Sequence, residues 1–242
     1  MSAKDDIFLK PQENLKAFEF NQQVVEVFPD MIERSVPGYK SIIEGIGQIA
    51  KQYVQENSQI YDLGCSLGAA SFSIRQGVSV ENSKIIAVDN SKAMVERCRL
   101  IQDGYKFSLP IEVMEADITQ IPIRKASLVV LNFTLQFLPI AQRQTLLDTI
   151  YQGLEPGGAL ILSEKIQMAQ PALNNKIIEL HHRFKKHNGY SDMEIAQKRA
   201  ALENVLIPES CEQHMARFKA TGFSQYDTWF QHYNFVSFLA VK

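Results

Sequence analysis

An α/β architecture, a doubly wound and mostly parallel sheet of seven strands, is the fold this sequence predicts. Three observations carry it. Short apolar runs ending in a polar residue alternate with amphipathic stretches from Gln59 to Glu164. The first run breaks into Gly64-Cys-Ser-Leu-Gly68, a turn that leads directly into a helix-forming segment. The chain then finishes on Asp227–Tyr233 and Asn234–Val241, adjacent apolar-rich strands that read as an antiparallel hairpin.

The elements follow in order. Residues 1 to about 19 are polar, with Pro11, and read as an arm that is either mobile or docked on the domain. Phe20–Glu33 reads as helical with a break at Pro29. Pro37-Gly38 opens a clear helix whose face is Tyr39, Ile42, Ile43, Ile46, Ile49, Ala50 and Tyr53. These first 56 residues form the N-terminal arm and covering helices, and 57–242 the main domain. Gln59–Leu63 is a buried strand, and the helix after the glycine turn ends near Gly77. Lys84–Asp89 is the second strand, after which Asn90-Ser91 can cap a helix facing inward through Met94, Val95, Cys98 and Ile101. Ile111–Asp117 alternates as a strand near the sheet edge does, whereas Ser127–Asn132 is nearly all apolar, as a central parallel strand should be. A helix over Pro139–Leu154 closes on Glu155-Pro-Gly-Gly158, read as a turn, before the strand Ala159–Glu164. Residues from about 166 to 213 break the alternation as a helical insertion, with helices Asn174–His187 and Asp192–Leu206 hinged at Gly189.

Composition narrows the function classes. At 242 residues with 45% hydrophobic content the chain can bury a substantial core. A formal charge of −2 offers no overall basic field for tight nucleic-acid binding, which favours small-molecule chemistry. Three widely spaced cysteines suggest neither a disulfide framework nor a metal site, so a reducing cytoplasm is the expected compartment. The start is polar and acidic, unlike a signal peptide, and no apolar run approaches the roughly 18 residues of a membrane span.

The candidate site residues lie at the carboxyl ends of the predicted strands, where ligands of open α/β sheets bind. Glycines at 64 and 68 let backbone N–H groups approach a ligand, and the helix behind them offers unpaired donors. Asp62 is a carboxylate that could meet an ammonium group. Asp89 sits about 20 residues past the turn, where an acid accepts ribose hydroxyls. Asp117 could accept an exocyclic amine with Ile118 against the ring, and Asn132 ends the fourth strand. Each of these polar residues could equally be an ordinary cap or loop residue. Gly64-Cys-Ser-Leu-Gly68 is also a literal G-x-S-x-G, which would make Ser66 a hydrolase nucleophile. The late histidines His214 and His232 fall in a helix and a terminal strand, so that reading lacks a partner base. The insertion carries Arg183, Lys185, Lys186, Lys198 and Arg199. Any one of them would ordinarily face solvent, but together they could receive an acidic substrate.

Tyr61-Asp-Leu-Gly-Cys-Ser-Leu-Gly68, Ala87-Val-Asp-Asn-Ser91, Glu115-Ala-Asp117-Ile and Val130-Leu-Asn-Phe-Thr-Leu-Gln-Phe137 resemble the Rossmann-like class I methyltransferase fold. With Lys198-Arg-Ala-Ala-Leu-Glu-Asn-Val205 and the opening Asp6-Ile-Phe…Phe18-Glu-Phe, the chain resembles the carboxy-S-adenosyl-L-methionine synthases over essentially its whole length. That resemblance implies a transferase that consumes S-adenosyl-L-methionine and prephenate and releases phenylpyruvate, through a sulfonium ylide that captures carbon dioxide. It further implies a homodimer, no metal and no direct tRNA contact, the product passing to a tRNA carboxymethyltransferase acting at the wobble uridine. Carried over residue by residue, it assigns the ligand to Tyr39, Gly64, Cys65, Ser66, Asp89, Asn90, Asp117, Ile118 and Asn132. Arg199 is assigned to the new carboxylate, which its planar fork suits. A conventional methyltransferase, which adds no negative charge to its ligand, is the alternative.

Overall fold

The protein is described by a computed structural model over residues 3–12, 14–104 and 109–242. The reading of a polar start rests partly on Met1 and Ser2, which lie outside the described residues. Seven strands form one sheet: β1 (Gln59–Leu63), β2 (Lys84–Asp89), β3 (Ile111–Glu115), β4 (Ala126–Asn132), β5 (Leu154–Lys165), β6 (Gln225–His232) and β7 (Phe235–Val241). Their order is β3-β2-β1-β4-β5-β7-β6, with β1 to β5 parallel and β7 antiparallel to both its neighbours. Among the described residues the helices are α1 (Gln22–Ser35), α2 (Tyr39–Tyr53), α3 (Ala69–Gly77), α4 (Lys92–Asp103), α5 (Ile140–Gly153), α6 (Pro171–His187), α7 (Asp192–Leu202) and α8 (Cys211–Thr221).

Strand periodicity divides the core. Ile60, Ile85, Ala87, Leu128, Val130 and Ile161 point to one face, where Ile42, Ile46, Ile74 and Val95 of α2, α3 and α4 cover them. Leu63, Val88, Val129, Leu131, Leu160 and Leu162 point to the other, against Leu147 and Ile150 of α5 and Phe218 of α8. Burial on both faces is why the central strands read as unbroken apolar runs. Because β1 pairs with β2 on one side and β4 on the other, the strand order reverses there, and a crevice opens beyond the strands' carboxyl ends.

Three local expectations are corrected. Pro29 does not break α1, which runs continuously from Gln22 to Ser35. Its missing N–H forfeits one bond, but Val24, Val25, Val27 and Met31 pack the same helix on Leu67 and Met94, and tertiary packing outweighs the local cost. Nor does Glu155-Pro-Gly-Gly158 separate helix from strand as a turn. It lies within β5 as a register shift, where Ala126 pairs with Leu154 but Leu128 pairs with Ala159. The second insertion helix also stops at Leu202, short of the expected Leu206.

The N-terminal arm is docked. The buried Asp5 carboxylate accepts from Tyr190 and lies 3.3 Å from Lys198 Nζ, while its own amide donates to Asp30. Gln197 of α7 donates to the carbonyls of Phe8 and Lys10, and Phe18 N donates to Ala201 O. The arm thereby ties α1 to the insertion.

Beneath the insertion, Arg143 is fully buried and donates to Glu209 at 2.6 Å and to the carbonyls of Gln136, Leu138 and Ile207. Glu209 also accepts from Arg217, so the triad is paired at every carboxylate oxygen. His214 beside it is fully buried against Phe238, and neither ring nitrogen has a hydrogen-bond partner. Burial, with Arg217 and Arg143 nearby, depresses its pKa from 6.5 to about 4 despite the pull of Glu209. A folded pKa below the unfolded one means that stability is lost as pH falls from 6.5 toward 4. His214→Leu is therefore expected to gain on the parent as the medium acidifies, by about 2 kcal/mol between pH 7 and pH 5. Denaturant unfolding at the two pH values measures that gap, and a constant gap would remove His214 as the source.

Candidate active site cleft

The crevice beyond β1, β2 and β4 is a cavity of about 460 Å³, and all ten residues that the resemblance assigns to the ligand line it. The turn between β1 and α3 sets its floor. Gly64 has φ +80°, and a Cβ there would overlap the Thr134 side chain from the loop after β4. A Cβ on Gly68 would lie 2.9 Å from Cys98 Sγ. Both glycines are thus demanded by the protein's own packing, beyond any need of a ligand. Ser66, in the same turn, takes φ +52°, and Phe133 beside Asn132 takes φ +62°, so both walls hold non-glycine residues in the left-handed region.

Asp89 organises the turn. One carboxylate oxygen accepts from Ser66 N at 2.9 Å and the other from Ser91 N at 2.9 Å. Burial nevertheless raises its pKa. Asp62 is buried more completely, and its Oδ2 accepts from Ser71 N and Ser71 Oγ, which caps α3 from within. The desolvation lifts it to about 6 against those hydrogen bonds, with Asp89 adding repulsion. An ammonium group beside these two acids would relieve both. Ser66 Oγ contacts Met94 Sδ and no histidine, so no hydrolase dyad forms. Asp117 is exposed and holds Thr119 in a loop, with Ile118 buried beside it. Asn132 Oδ1 is buried without a donor. That orphan acceptor, a glycine floor and two under-neutralised acids fit the amine, ribose and amino-acid groups of S-adenosylmethionine.

The opposite wall is cationic. Lys165 at the end of β5, Lys185 of α6 and Lys198 and Arg199 of α7 all line the cavity, together with His181 and His182. Arg199, exposed at the rim of its own chain's cleft, has no hydrogen bond or ion pair among the described residues. Lys198 is the committed member, donating to Asp5 and Ser35 Oγ. Arg183 and Lys186, grouped with these from sequence, instead face solvent outside the cavity. His181 hydrogen-bonds Ser35 O and packs edge-on against Phe235, and burial with Lys185 nearby holds its pKa at about 3. Lys165, Thr134 and the aromatic lining of Phe18, Phe20, Phe28 and Phe137 were not legible as site residues. Lys165 carried one usable signal, its place just after an apolar parallel strand.

A family model described as a methyltransferase domain matches residues 60–158. The carboxy-S-adenosyl-L-methionine synthase of Erwinia tasmaniensis is 54% identical over 242 residues, covering 100% of this chain and 98% of its own. This chain belongs to the carboxy-S-adenosyl-L-methionine synthase family. The synthase of Vibrio vulnificus is 55% identical over 241 residues, with 100% and 98% of the two chains covered. Among solved structures, magnesium protoporphyrin IX methyltransferase from Synechocystis superposes with a TM-score of 0.59 at 12% identity, over 88% of this chain and 87% of that one. That likeness shows the fold, which is Rossmann-like and of the class I methyltransferase type. Membership makes this synthase-family chain an enzyme of the transferase kind. Among the described residues no group of three or more His, Cys, Asp and Glu is placed to hold a metal ion, and no helix is long and apolar enough to cross a membrane.

Proposed function

We propose that this enzyme makes carboxy-S-adenosyl-L-methionine from S-adenosyl-L-methionine and prephenate, releasing phenylpyruvate. The observation that carries the reading is Arg199, a guanidinium without an anionic partner facing the cleft in which the sulfonium ligand would lie. A ligand that is already a cation gains nothing from such a neighbour, whereas a product bearing a new carboxylate does. The sulfonium acidifies its own methyl group, and prephenate supplies the carbon dioxide that becomes the carboxylate. Hydroxide leaving prephenate takes the methyl proton as water, so the protein need not provide a base.

In this reading Tyr39, Gly64, Cys65, Ser66, Asp89, Asn90, Asp117, Ile118 and Asn132 hold S-adenosylmethionine. Asp62 and Asp89 set the ammonium and ribose end, and Arg199 holds the product carboxylate. The aromatic lining excludes water, which protects the transient carbon dioxide. The product would pass to a tRNA carboxymethyltransferase, and the formal charge of −2 suits a cytoplasmic, homodimeric enzyme that leaves tRNA to that partner.

Mass spectrometry of the small molecule released on denaturing the purified protein tests this. The expected mass is S-adenosylmethionine plus one carbon dioxide, and incubation with prephenate should release phenylpyruvate in step with product. Plain S-adenosylmethionine with no turnover of prephenate would return the protein to the conventional methyltransferases.

A further inference from the structure

Charge in the cleft is segregated. Asp62, Asp89 and Asp117 lie at the ends of β1, β2 and the β3 loop, while Lys165, Lys185, Lys198 and Arg199 stand across from them on β5, α6 and α7. Glu203, just past α7, is the one acid on the cationic side among the described lining residues. Two of these cations are already assigned, Lys198 to Asp5 and Arg199 to the product carboxylate. Lys165 and Lys185 remain. Neither ammonium group has a hydrogen bond or ion pair among the described residues, although Lys185 is only 8% exposed and Lys165 is half-buried.

Two uncompensated ammonium groups lining one cavity, one of them buried, are costly in the absence of an anion. Lys185 lies one turn from the buried His181 on the inner face of α6, and Lys165 is the last residue of its strand. Their proximity is expressed in their titration. Burial comes first for both; Arg199 then lowers Lys165 further, and the charges of Lys165, Lys198 and Arg199 help bring Lys185 down to about 7. His181 and His182 beside them stay neutral for the same reasons. Such a pair is neutralised by one ligand with two negative groups, and neither S-adenosylmethionine nor one new carboxylate supplies both charges.

We infer that Lys165 and Lys185 are the paired seat of a dicarboxylate, the carbon dioxide donor of the reaction, one carboxylate to each ammonium group. The inference rests on the proposed function for the donor's identity. The seat itself rests on the two lysines. It places the donor between the ligand's methyl end and α6, with Arg199 at the junction where carbon dioxide would pass from one to the other.

Lys165→Met and Lys185→Met keep the length of each side chain and remove the charge, and melting temperature confirms that each variant folds. The expected result is a rise of at least about 30-fold in KM for prephenate in either variant, with S-adenosylmethionine affinity by calorimetry within twofold of the parent. Lys185→Arg should recover most of the loss. Prephenate affinity within threefold of the parent in both Met variants overturns the assignment, and so does an equal loss of S-adenosylmethionine affinity. Malonate separates this from failure of the functional reading. Should the parent not bind prephenate, malonate protection against thermal unfolding that disappears in the double variant still supports the seat. Equal protection of parent and double variant removes it.

Discussion

Arg199→Ala is expected to purify without carboxylated ligand while still binding S-adenosylmethionine. The guanidinium makes no hydrogen bond or ion pair among the described residues, so its removal leaves no buried group unpaired and should leave the melting temperature unchanged. Its exposure at the cleft rim argues for the lower end of what a charged pair contributes, about 2 kcal/mol, or at least about 30-fold in affinity for the carboxylated product. Affinity for S-adenosylmethionine should stay within twofold or improve slightly, since the variant removes a like charge. Calorimetric titration with both compounds reads the ratio directly. An unchanged affinity for the carboxylated compound would strip Arg199 of its role, and Arg199→Lys should fall between, because an ammonium group cannot engage both oxygens at once.

The second large effect belongs to Gly64→Ala. The left-handed backbone costs a Cβ-bearing residue about 1–2 kcal/mol, and the overlap with Thr134 adds about 1–3 kcal/mol more. The turn relieves that overlap only by displacing itself or the loop after β4, and both line the cleft. S-adenosylmethionine affinity should fall about 100-fold, as about 3 kcal/mol implies. Adding Thr134→Ala should recover the steric part and leave the backbone part. A single variant that binds within threefold of the parent would show that the turn is not the floor of the site.

The elements that positioned these residues were legible where burial was two-sided. β1, β4 and β5 read as apolar runs because helices cover both faces, and α2 and α4 were periodic because one face of each meets the sheet. The glycine turn was visible, but its reason was not: the partner of Gly64 is Thr134, 70 positions away, and no local pattern announces it. Charge was harder still. Asp5 looked like a solvated acid in a polar arm, yet it is buried because Tyr190 and Lys198 reach it from the insertion. Arg143, on the helix read over Pro139–Leu154, is the centre of a buried triad that the helical pattern does not announce. Pro29 read as a break because propensity is local, while the packing that overrides it is not. On α6, Lys185 lines the cavity while Arg183 and Lys186 face solvent, a difference of helical phase that the cluster of basic residues hides in sequence.

The docked arm also sets a timetable. Asp5 meets Lys198 across 193 positions of chain. At about 5–20 residues per second of synthesis, that acid waits on the order of 10–40 seconds for its partner to emerge. Meanwhile Phe18, which packs on Phe20 and whose amide finally donates to Ala201 O of α7, has no insertion to rest against. A ribosome-bound chain has therefore made β1 to β4 before it owns the cationic wall, and β6 and β7 come later still. Such a nascent chain carries the acids of the cleft but not yet the cations that face them across it.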